Sequence, residues 1–416
     1  MFDFAREKER FGQTCTACGL CVQSCPIVPL TALSDVDPPD VMEDVLGIFR
    51  DGTTSDVARL RVDSCMRCNR CRSECPEHLD PGLAFCLARQ IMVENGDPIP
   101  RGLAFLLPDM PFNFSNIIQR IQVKPGEGDW VTDVAHPKPE PAKTVVFLGC
   151  RSHMQPDFIA TVMALVRRID PHAQALGGLD YCCGDMHLRA GDLQRSIALM
   201  RQLIAALDAF APQQVLFVCP TCNSYFDLHR PETDWSWGFI TQFLAAHIDR
   251  LGPLQTVRAK VALHDACNLA RGETPDSDSP RRILQAIPGI ELVEMDNCRE
   301  NTLCCGGTAL AILGKPGMAF RDLRLKQAQA CGADLMGFYC TGCQSVYAPL
   351  KADAPMGFDS IINILGEAAG IHHEDRLAQY LGYHDGRRVV AETEEYIQAS
   401  GLPPEQLTNF LLKYFR

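Results

Sequence analysis

The sequence predicts a multidomain protein, with an α-helical N-terminal domain followed by two α/β domains that an internal pseudo-repeat relates. Three observations lead to this fold class. The chain has 416 residues, more than one hydrophobic core usually supports. A short cysteine motif occurs twice near the N-terminus, at an offset of 50 residues. A longer pattern of apolar strand, cysteine and helix also occurs twice, after residue 143.

The composition indicates a reduced protein that binds metal. There are 21 cysteines, and the first ten residues lack the apolar core of a secretory signal. In a reducing compartment, clustered cysteines hold metals more often than they form disulfides. The net charge of -12 argues against nucleic acid as a partner. Since no apolar stretch resembles a membrane span, we expect a cytoplasmic protein, or one bound to the inner face of the cell membrane through a partner subunit.

The first predicted domain, residues 1–100, contains the short motif C-x2-C-x2-C-x3-C-P twice. In this motif three cysteines hold one cubane 4Fe-4S cluster and the fourth reaches the other cluster. Zinc is the alternative metal, but zinc sites of four cysteines typically pair two C-x2-C knuckles. With helical patterns at 56–62 and 83–95, the domain resembles the α-helical ferredoxins of multi-subunit oxidoreductases. The predicted ligand sets are Cys15, Cys18, Cys21 and Cys75 for one cluster, and Cys65, Cys68, Cys71 and Cys25 for the other.

Two further segments flank the α/β domains. Residues 101–142 are rich in proline and glycine and are predicted to form a linker. Its apolar part, 103–114, has two interpretations: packing between domains, which we favour, or docking on a membrane or partner subunit. Residues 371–416 are predicted to be a helical tail, whose apolar stripe is a docking surface or a packed terminal helix. That stripe consists of Leu407, Phe410, Leu411, Tyr414 and Phe415.

The α/β domains are predicted at 143–252 and 253–370, from apolar runs that each end in a cysteine. Continuous apolar runs of this length are typical of buried parallel strands. Helical patterns separate them, as expected for α/β units. Since ligands of parallel sheets gather at the carboxyl ends of the strands, we expect the cysteines to meet there. The predicted strands cover 144–150, 215–219, 261–267 and 335–340.

Each α/β domain contains five patterned cysteines, and two of the five are adjacent in the sequence. A glycine follows each adjacent pair and permits the backbone conformation that close approach to a cluster requires. All five positions are present in both copies, so we expect two unusual metal sites. The predicted metal ligands are Cys150, Cys182, Cys183, Cys219 and Cys222 in the first copy, and Cys267, Cys304, Cys305, Cys340 and Cys343 in the second.

These motifs resemble the CCG domains of the catalytic subunit of heterodisulfide reductase and its relatives. The order of a ferredoxin domain and two CCG domains covers residues 1 to about 370. Similar layouts occur in the iron-sulfur subunits of glycolate oxidase, anaerobic glycerol-3-phosphate dehydrogenase and lactate-utilisation proteins. The resemblance implies one or two noncubane 4Fe-4S clusters in the CCG domains. It also implies a disulfide substrate between them, reduced in two one-electron steps, with Cys183 and Cys305 as the catalytic cysteines.

Other polar residues near the motifs have two interpretations each. His187 and His264 are candidate catalytic proton donors, with a structural hydrogen bond as the alternative. Arg189 and Arg271 are candidates for holding an anionic substrate, with surface solvation as the alternative. The sequence has no glycine-rich nucleotide motif, so we assign any flavin or nicotinamide to a partner.

Two functions fit these features. In the first, the chain is the disulfide-reducing or thiol-oxidising subunit of a complex with a membrane cytochrome b or another quinone-reactive subunit. In the second, it is an electron-transfer subunit that links an FAD-containing glycolate, lactate or glycerol-3-phosphate dehydrogenase to the quinone pool. Both functions require iron-sulfur clusters, so the cysteine patterns alone do not separate them.

Overall fold

A computed structural model describes residues 1–108, 112–124, 127, 139–351 and 353–416. It contains an N-terminal helical domain, two α/β domains and a C-terminal group of helices. The two α/β domains have the same strand order, as the pseudo-repeat predicts. Among the described residues, we find no helix with the length and apolar character needed to cross a membrane.

The helical domain is built around α5, which is buried on nearly all sides. A helix buried in this way packs against neighbours in several directions. Leu83 and Leu87 contact the core of the first α/β domain, whereas Phe85 and Ala88 belong to the core of the helical domain. Helix α5 therefore joins the two domains. The helices are α1 (Phe4–Thr14), α2 (Leu20–Gln23), α3 (Pro38–Asp51), α4 (Asp56–Asp63) and α5 (Pro81–Glu94).

The segment predicted as a linker includes two short helices, α6 (Arg101–Ala104) and α7 (Phe114–Arg120). Residues 109–111, 125–126 and 128–138 of this segment lie outside the described residues. Helix α6 packs on the second α/β domain, because Gly102 lies directly against the carbonyl of Ala311. Phe105, next to α6, is exposed.

The first α/β domain has a parallel four-stranded sheet in the order β2-β1-β3-β4. All residues of β1 are buried, as its continuous apolar sequence predicts. The adjacent strands β1 and β3 are the two that the sequence analysis predicts. The elements are β1 (Thr144–Gly149), α8 (Pro156–Ile169), β2 (Gln174–Gly177), α9 (Asp185–Ala190), α10 (Leu193–Asp208), β3 (Gln214–Phe217), α11 (Pro220–His229), β4 (Ser236–Phe239) and α12 (Ile240–Ala246).

The second α/β domain repeats this arrangement, with the parallel strand order β6-β5-β7-β8. The predicted strands again form the central pair, β5 and β7. The elements are β5 (Ala259–His264), α13 (Cys267–Ala270), α14 (Asp278–Ala286), β6 (Ile290–Val293), α15 (Gly307–Leu313), α16 (Met318–Ala330), β7 (Leu335–Phe338), α17 (Thr341–Tyr347), β8 (Gly357–Ser360) and α18 (Ile361–Ala368).

The two α/β domains pack against each other through equivalent helices. Helix α8 of the first domain contacts α18 of the second, and α12 of the first contacts α14 of the second. In each pair, the helix after the first strand of one domain meets the helix after the last strand of the other. This reciprocal contact gives the interface a pseudo-twofold character and places both domains on one continuous core.

The C-terminal helices are packed rather than free. Leu407, Leu411 and Phe415 are buried. The ring of Phe114 on α7 contacts those of Phe410 and Tyr414, with centroids 6.2 and 5.3 Å away. The predicted apolar stripe is thus a packing face, and α7 of the expected linker is part of the same core. The helices are α19 (Arg376–Gly382), α20 (Gly386–Glu392), α21 (Glu394–Ala399) and α22 (Pro404–Tyr414).

Candidate metal centres

The first cavity of the helical domain is surrounded by the first predicted set of four cysteines. Phe11, Met42 and Leu79 also border it. Cys21 is buried, and this burial raises the pKa of its thiol to about 12. Cys18 is exposed, so this cavity lies near the protein surface. The cysteines around it are Cys15, Cys18, Cys21 and Cys75.

The second cavity is surrounded by the other predicted set, and none of these cysteines is exposed. Three arginines border the cavity: Arg67 and Arg70, which lie between the cysteines in sequence, and Arg61 from α4. The distant fourth cysteine of each motif thus lies beside the three cysteines of the other motif. The cysteines around this cavity are Cys25, Cys65, Cys68 and Cys71.

The first cysteine-rich site lies at the carboxyl edge of the first sheet. Its five thiols lie side by side in the order Cys150, Cys182, Cys183, Cys222 and Cys219. The central thiol, Cys183, has two sulfur neighbours, and its interactions with Cys182 and Cys222 lower its pKa well below the usual range. The three central cysteines are buried, whereas the two outer ones are half-buried. The site thus has a closed centre and a more open rim.

The second cysteine-rich site has the same centre. Cys305 lies beside Cys304 and Cys343, and its interactions with these thiols lower its pKa well below the usual range. Cys343 in turn lies beside Cys340. Cys267 lies close enough to Cys304 for their charges to interact. The two sites therefore place equivalent cysteines, Cys183 and Cys305, at their centres.

A histidine distinguishes the second site from the first. His264, at the end of β5, brings a ring nitrogen within 4.8 Å of the sulfurs of Cys305 and Cys343. Its Nδ1 accepts a hydrogen bond of 3.2 Å from Arg324 Nε. Because a guanidinium only donates, Nδ1 carries no proton and Nε2 does. Burial, which is the largest cause, lowers the pKa of His264, so the ring is a neutral donor toward Cys305.

The loop between the cysteines of the second cavity contacts both cysteine-rich sites. Arg67 pairs with Asp185, two residues after Cys183. On the other side, Arg271 Nε donates a hydrogen bond of 2.8 Å to the carbonyl of Cys68. Cys68 and Cys267 are also close enough for their charges to interact. The second cavity therefore lies at the junction of the three domains.

The other polar residues predicted near the sites are mostly used in contacts between domains. Arg189 is buried, with Nε 2.6 Å from Asp185 Oδ2 and Nη1 2.8 Å from the carbonyl of Met66. Arg271 bonds the helical domain as described above. His187 is buried on α9, with Nδ1 3.6 Å from Asp192 Oδ2. Of the two histidines, His264 is the one that the structure places among cysteine thiols.

Comparisons with known proteins match each of these parts. Residues 12–79 match the family described as 4Fe-4S dicluster domain. Residues 144–227 and 261–346 each match the family described as Cysteine-rich domain, or CCG. The matched ranges contain all eight cysteines around the two cavities and all ten of the cysteine-rich sites.

Several relatives are similar to this chain over most of its length. One subunit of the dihydromethanophenazine:CoB–CoM heterodisulfide reductase of Methanosarcina mazei is 25% identical over 402 residues, which cover 86% of this chain and 94% of that protein. One subunit of the fumarate reductase (CoM/CoB) of Methanothermobacter marburgensis is 26% identical, covering 84% and 70%. The chain belongs to the family of heterodisulfide reductase-like iron-sulfur oxidoreductases. A probable glycolate oxidase iron-sulfur subunit of Bacillus subtilis is 22% identical, covering 77% and 85%.

The donor atoms of this heterodisulfide reductase-like chain fit iron-sulfur clusters. Thiols are the soft ligands that such clusters require, and each cavity is bordered by four of them. Each CCG site offers five thiols, and the second adds the imidazole of His264.

Sequence reasoning missed the charged residues around these ligands, namely Arg61, Arg67, Asp185 and Arg324. The only sequence signal was their position, since Arg67 lies between Cys65 and Cys68, and Asp185 directly follows the Cys-Cys-Gly motif.

Proposed function

We propose that this chain is the iron-sulfur subunit of a complex that reduces a disulfide or oxidises thiols. In this proposal the four cysteines around each cavity hold a cubane 4Fe-4S cluster, and the five of each CCG site hold a noncubane 4Fe-4S cluster. The partner is a membrane cytochrome b or another quinone-reactive subunit, which keeps the chain at the inner face of the membrane.

The observation that carries this proposal is that two complete five-cysteine sites face each other across the pseudo-twofold interface. Ser152, two residues after Cys150, lies with its Oγ 3.4 Å from Oγ1 of Thr341, the residue after Cys340. On the other side, the Asn268 amide beside Cys267 lies 2.7 Å from Thr221 Oγ1. Each site thus borders the other, an arrangement that suits a substrate with two sulfur atoms.

The clusters and the residues around them have different roles in the proposed reaction. When bound, the clusters supply single-electron transfer between the partner and the CCG sites. Reduction of one disulfide to two thiols consumes two electrons from the partner subunit and two protons. The half-buried cysteines at the rim leave each site accessible, whereas the buried Cys183 and Cys305 exclude water from its centre. His264 Nε2 holds a proton that it can donate toward Cys305.

The experiment that tests the cluster content is iron and sulfide quantitation with low-temperature EPR on anaerobically purified protein. Four four-iron clusters predict about sixteen irons per chain. A paramagnetic signal that appears in oxidised protein only after thiol addition supports a thiol or disulfide site. About eight irons, with signals of reduced cubane clusters alone, would contradict the proposal for the CCG sites.

Substitution of the central cysteines tests the catalytic assignment. We expect Cys183→Ala and Cys305→Ala each to abolish disulfide reduction with a reduced viologen as electron donor. Cys331→Ala, which changes a half-buried cysteine outside both sites, is the matched control and leaves activity unchanged. Activity that survives in both Cys183→Ala and Cys305→Ala would contradict a disulfide function.

A second function is supported by the burial of these same cysteines. The relative exposures of Cys183 and Cys305 are only 3% and 7%, which suits an electron-transfer site without its own substrate. The chain then links an FAD-containing glycolate, lactate or glycerol-3-phosphate dehydrogenase to the quinone pool. Co-purification with a flavin subunit, together with no thiol-dependent EPR signal, favours this alternative.

A further inference from the structure

Arg61 is a fully buried guanidinium without a carboxylate partner. It lies on α4 with 1% of its surface exposed. Within the described parts of the chain, neither its Nε nor its Nη1 has a hydrogen-bond acceptor, and no carboxylate forms an ion pair with it. Its nearest aromatic contact is the ring of Phe85, whose centroid is 3.9 Å from Cζ. A buried charge left in this state is costly, so it requires a compensating negative charge nearby.

The groups around Arg61 that can supply negative charge are the cysteines of the two cavities, which become thiolates when they bind a cluster. Arg61 borders the second cavity directly. Burial lowers the pKa of Arg61, but the charges of nearby cysteines outweigh this effect and raise it above the ordinary value. Those cysteines are Cys25, Cys65 and Cys71 of the second cavity and Cys21 of the first.

The other arginines near the cavities differ from Arg61 in having partners. Arg70, which also borders the second cavity, is only half-buried, and its Nη1 lies 3.5 Å from the carbonyl oxygen of Asn301 in the second CCG domain. Arg67 pairs with Asp185. Arg89 pairs with Asp63 at 3.2 Å and donates to the backbone carbonyls of Arg189 and Val62. Their charges are therefore balanced or used in domain contacts. Of these arginines, Arg61 is the one whose buried charge is balanced by the cysteines of the two cavities.

We propose that Arg61 is a positioning residue that sets the reduction potentials of both cubane clusters. This inference rests on the proposed function, because it requires the two clusters to be bound at the two cavities. One-electron reduction makes a cluster more negative, and a fixed positive charge in a low-dielectric interior stabilises the more negative state. Arg61 therefore makes both clusters easier to reduce.

The test is an EPR-monitored potentiometric titration of the whole protein, with dithionite as the electron source and redox mediators. Arg61→Met removes the charge but keeps an unbranched side chain of similar length. We expect the ratio of reduced to oxidised cluster at a fixed potential to fall at least about tenfold for both cubane clusters. A tenfold change corresponds to a shift of 59 mV for a one-electron couple. Arg61→Lys retains the charge, and we expect potentials near those of the wild type.

Arg59→Gln is the matched control, because it removes one positive charge from the same helix at the surface. Arg59 pairs with Asp97 at 2.8 Å, and 38% of its side chain is exposed. We expect unchanged potentials in this variant. Wild-type potentials in Arg61→Met with full iron content would overturn the inference. A shift in Arg59→Gln as large as that in Arg61→Met would do the same.

Failure of the inference about Arg61 and failure of the proposed function give different results. If Arg61→Met does not incorporate iron, Arg61→Lys decides the question. Full iron content and near-native potentials in Arg61→Lys support the role of the charge, whereas loss of the clusters there shows that shape matters instead and overturns the inference. Wild-type protein without cubane EPR signals would contradict the proposed function on which the inference rests.

Discussion

At the residue scale, Asp157 shows how the pseudo-twofold interface depends on pH. Its Oδ2 accepts a hydrogen bond of 2.8 Å from Asn363 Nδ2, which also lies 3.0 Å from Asp359 Oδ1. Lys351 pairs with Asp375 at 2.5 Å and is the cation of this cluster. Three carboxylates thus share one lysine and one amide where the two α/β domains meet the C-terminal helices.

This arrangement predicts that stability falls as pH rises. Burial, followed by the charges of Asp375 and Asp359, raises the pKa of Asp157 to about 7. Above pH 3.8, the ordinary pKa of an aspartate, Asp157 loses its proton in the unfolded chain but keeps it in the folded protein. The stabilisation that the bound proton gives the folded protein is lost as pH rises through 7. We expect the free energy of unfolding to fall by roughly 1 kcal/mol per pH unit between pH 5 and 7.

Thermal unfolding at several pH values measures this effect. Asp157→Asn keeps a neutral side chain at all pH values and should flatten the profile between pH 5 and 7. Asp322→Asn, at an exposed aspartate paired with Arg321, is the control and should keep the wild-type slope. An equal slope in wild type and Asp157→Asn would contradict the assignment.

A second residue-scale prediction concerns His264. Loss of a hydrogen bond to a metal ligand typically costs 10–100-fold in metal affinity. We therefore expect His264→Ala to release iron from the second CCG site roughly tenfold faster under a chelator, with the first site unchanged. Iron release followed by absorbance measures this, and His172→Ala at an exposed position is the control. Equal acceleration at both sites would contradict a role for His264 specific to the second site.

At the element scale, the glycines that start α9 and α15 have similar backbones but different surroundings. Gly184 has a φ of +94°, and Gly306 has a φ of +98°. A Cβ at Gly184 would lie 2.4 Å from the carbonyl oxygen of Ser196 on α10. At Gly306, the nearest atom would be the backbone nitrogen of Arg321, at 3.2 Å. The first CCG loop is thus packed more tightly than the second.

We therefore expect Gly184→Ala to be more damaging than Gly306→Ala. The positive φ costs each variant roughly 1 kcal/mol. In Gly184→Ala, the clash with Ser196 also displaces the backbone of the first CCG site. This displacement should destabilise the protein by roughly a further 1–3 kcal/mol and reduce the iron content of the first site. Thermal unfolding and iron quantitation of the two variants measure the difference. Equal losses would show that the two loops are packed alike.

The position of a strand within its sheet explains whether the sequence predicted it. The central strands β1, β3, β5 and β7 were predicted because burial on both faces produces continuous apolar runs. The strands β2, β4, β6 and β8 were missed. They lie at the sheet edges, where short segments such as Gly357–Ser360 carry polar residues and glycine. The cysteine groupings followed from spacing, whereas Arg61 and Arg324 gave no periodic signal because tertiary packing alone brings them to the sites.

At the scale of the whole molecule, two ion pairs attach the helical domain to the CCG domains. Arg67 pairs with Asp185 of the first CCG domain, with side-chain exposures of 9% and 2%. Arg72 pairs with Glu273 of the second CCG domain at 2.5 Å, with exposures of 38% and 17%. Solvent screens the second pair, so its net contribution is small. The first pair is desolvated, and removal of one partner leaves a buried charge uncompensated.

This contrast predicts unequal effects of two charge-neutralising substitutions. We expect Asp185→Asn to destabilise the protein by about 3–5 kcal/mol, because Arg67 and Arg189 both lose their carboxylate. Glu273→Gln should cost less than about 1 kcal/mol. Thermal unfolding of the cluster-loaded protein at low and high salt measures both effects. The loss in Asp185→Asn should be insensitive to salt, since buried charges are screened much less than exposed ones. Equal destabilisation by the two substitutions would mean that the junction around the second cavity is open to solvent, and the helical domain would then be held to the CCG domains mainly by the apolar face of α5.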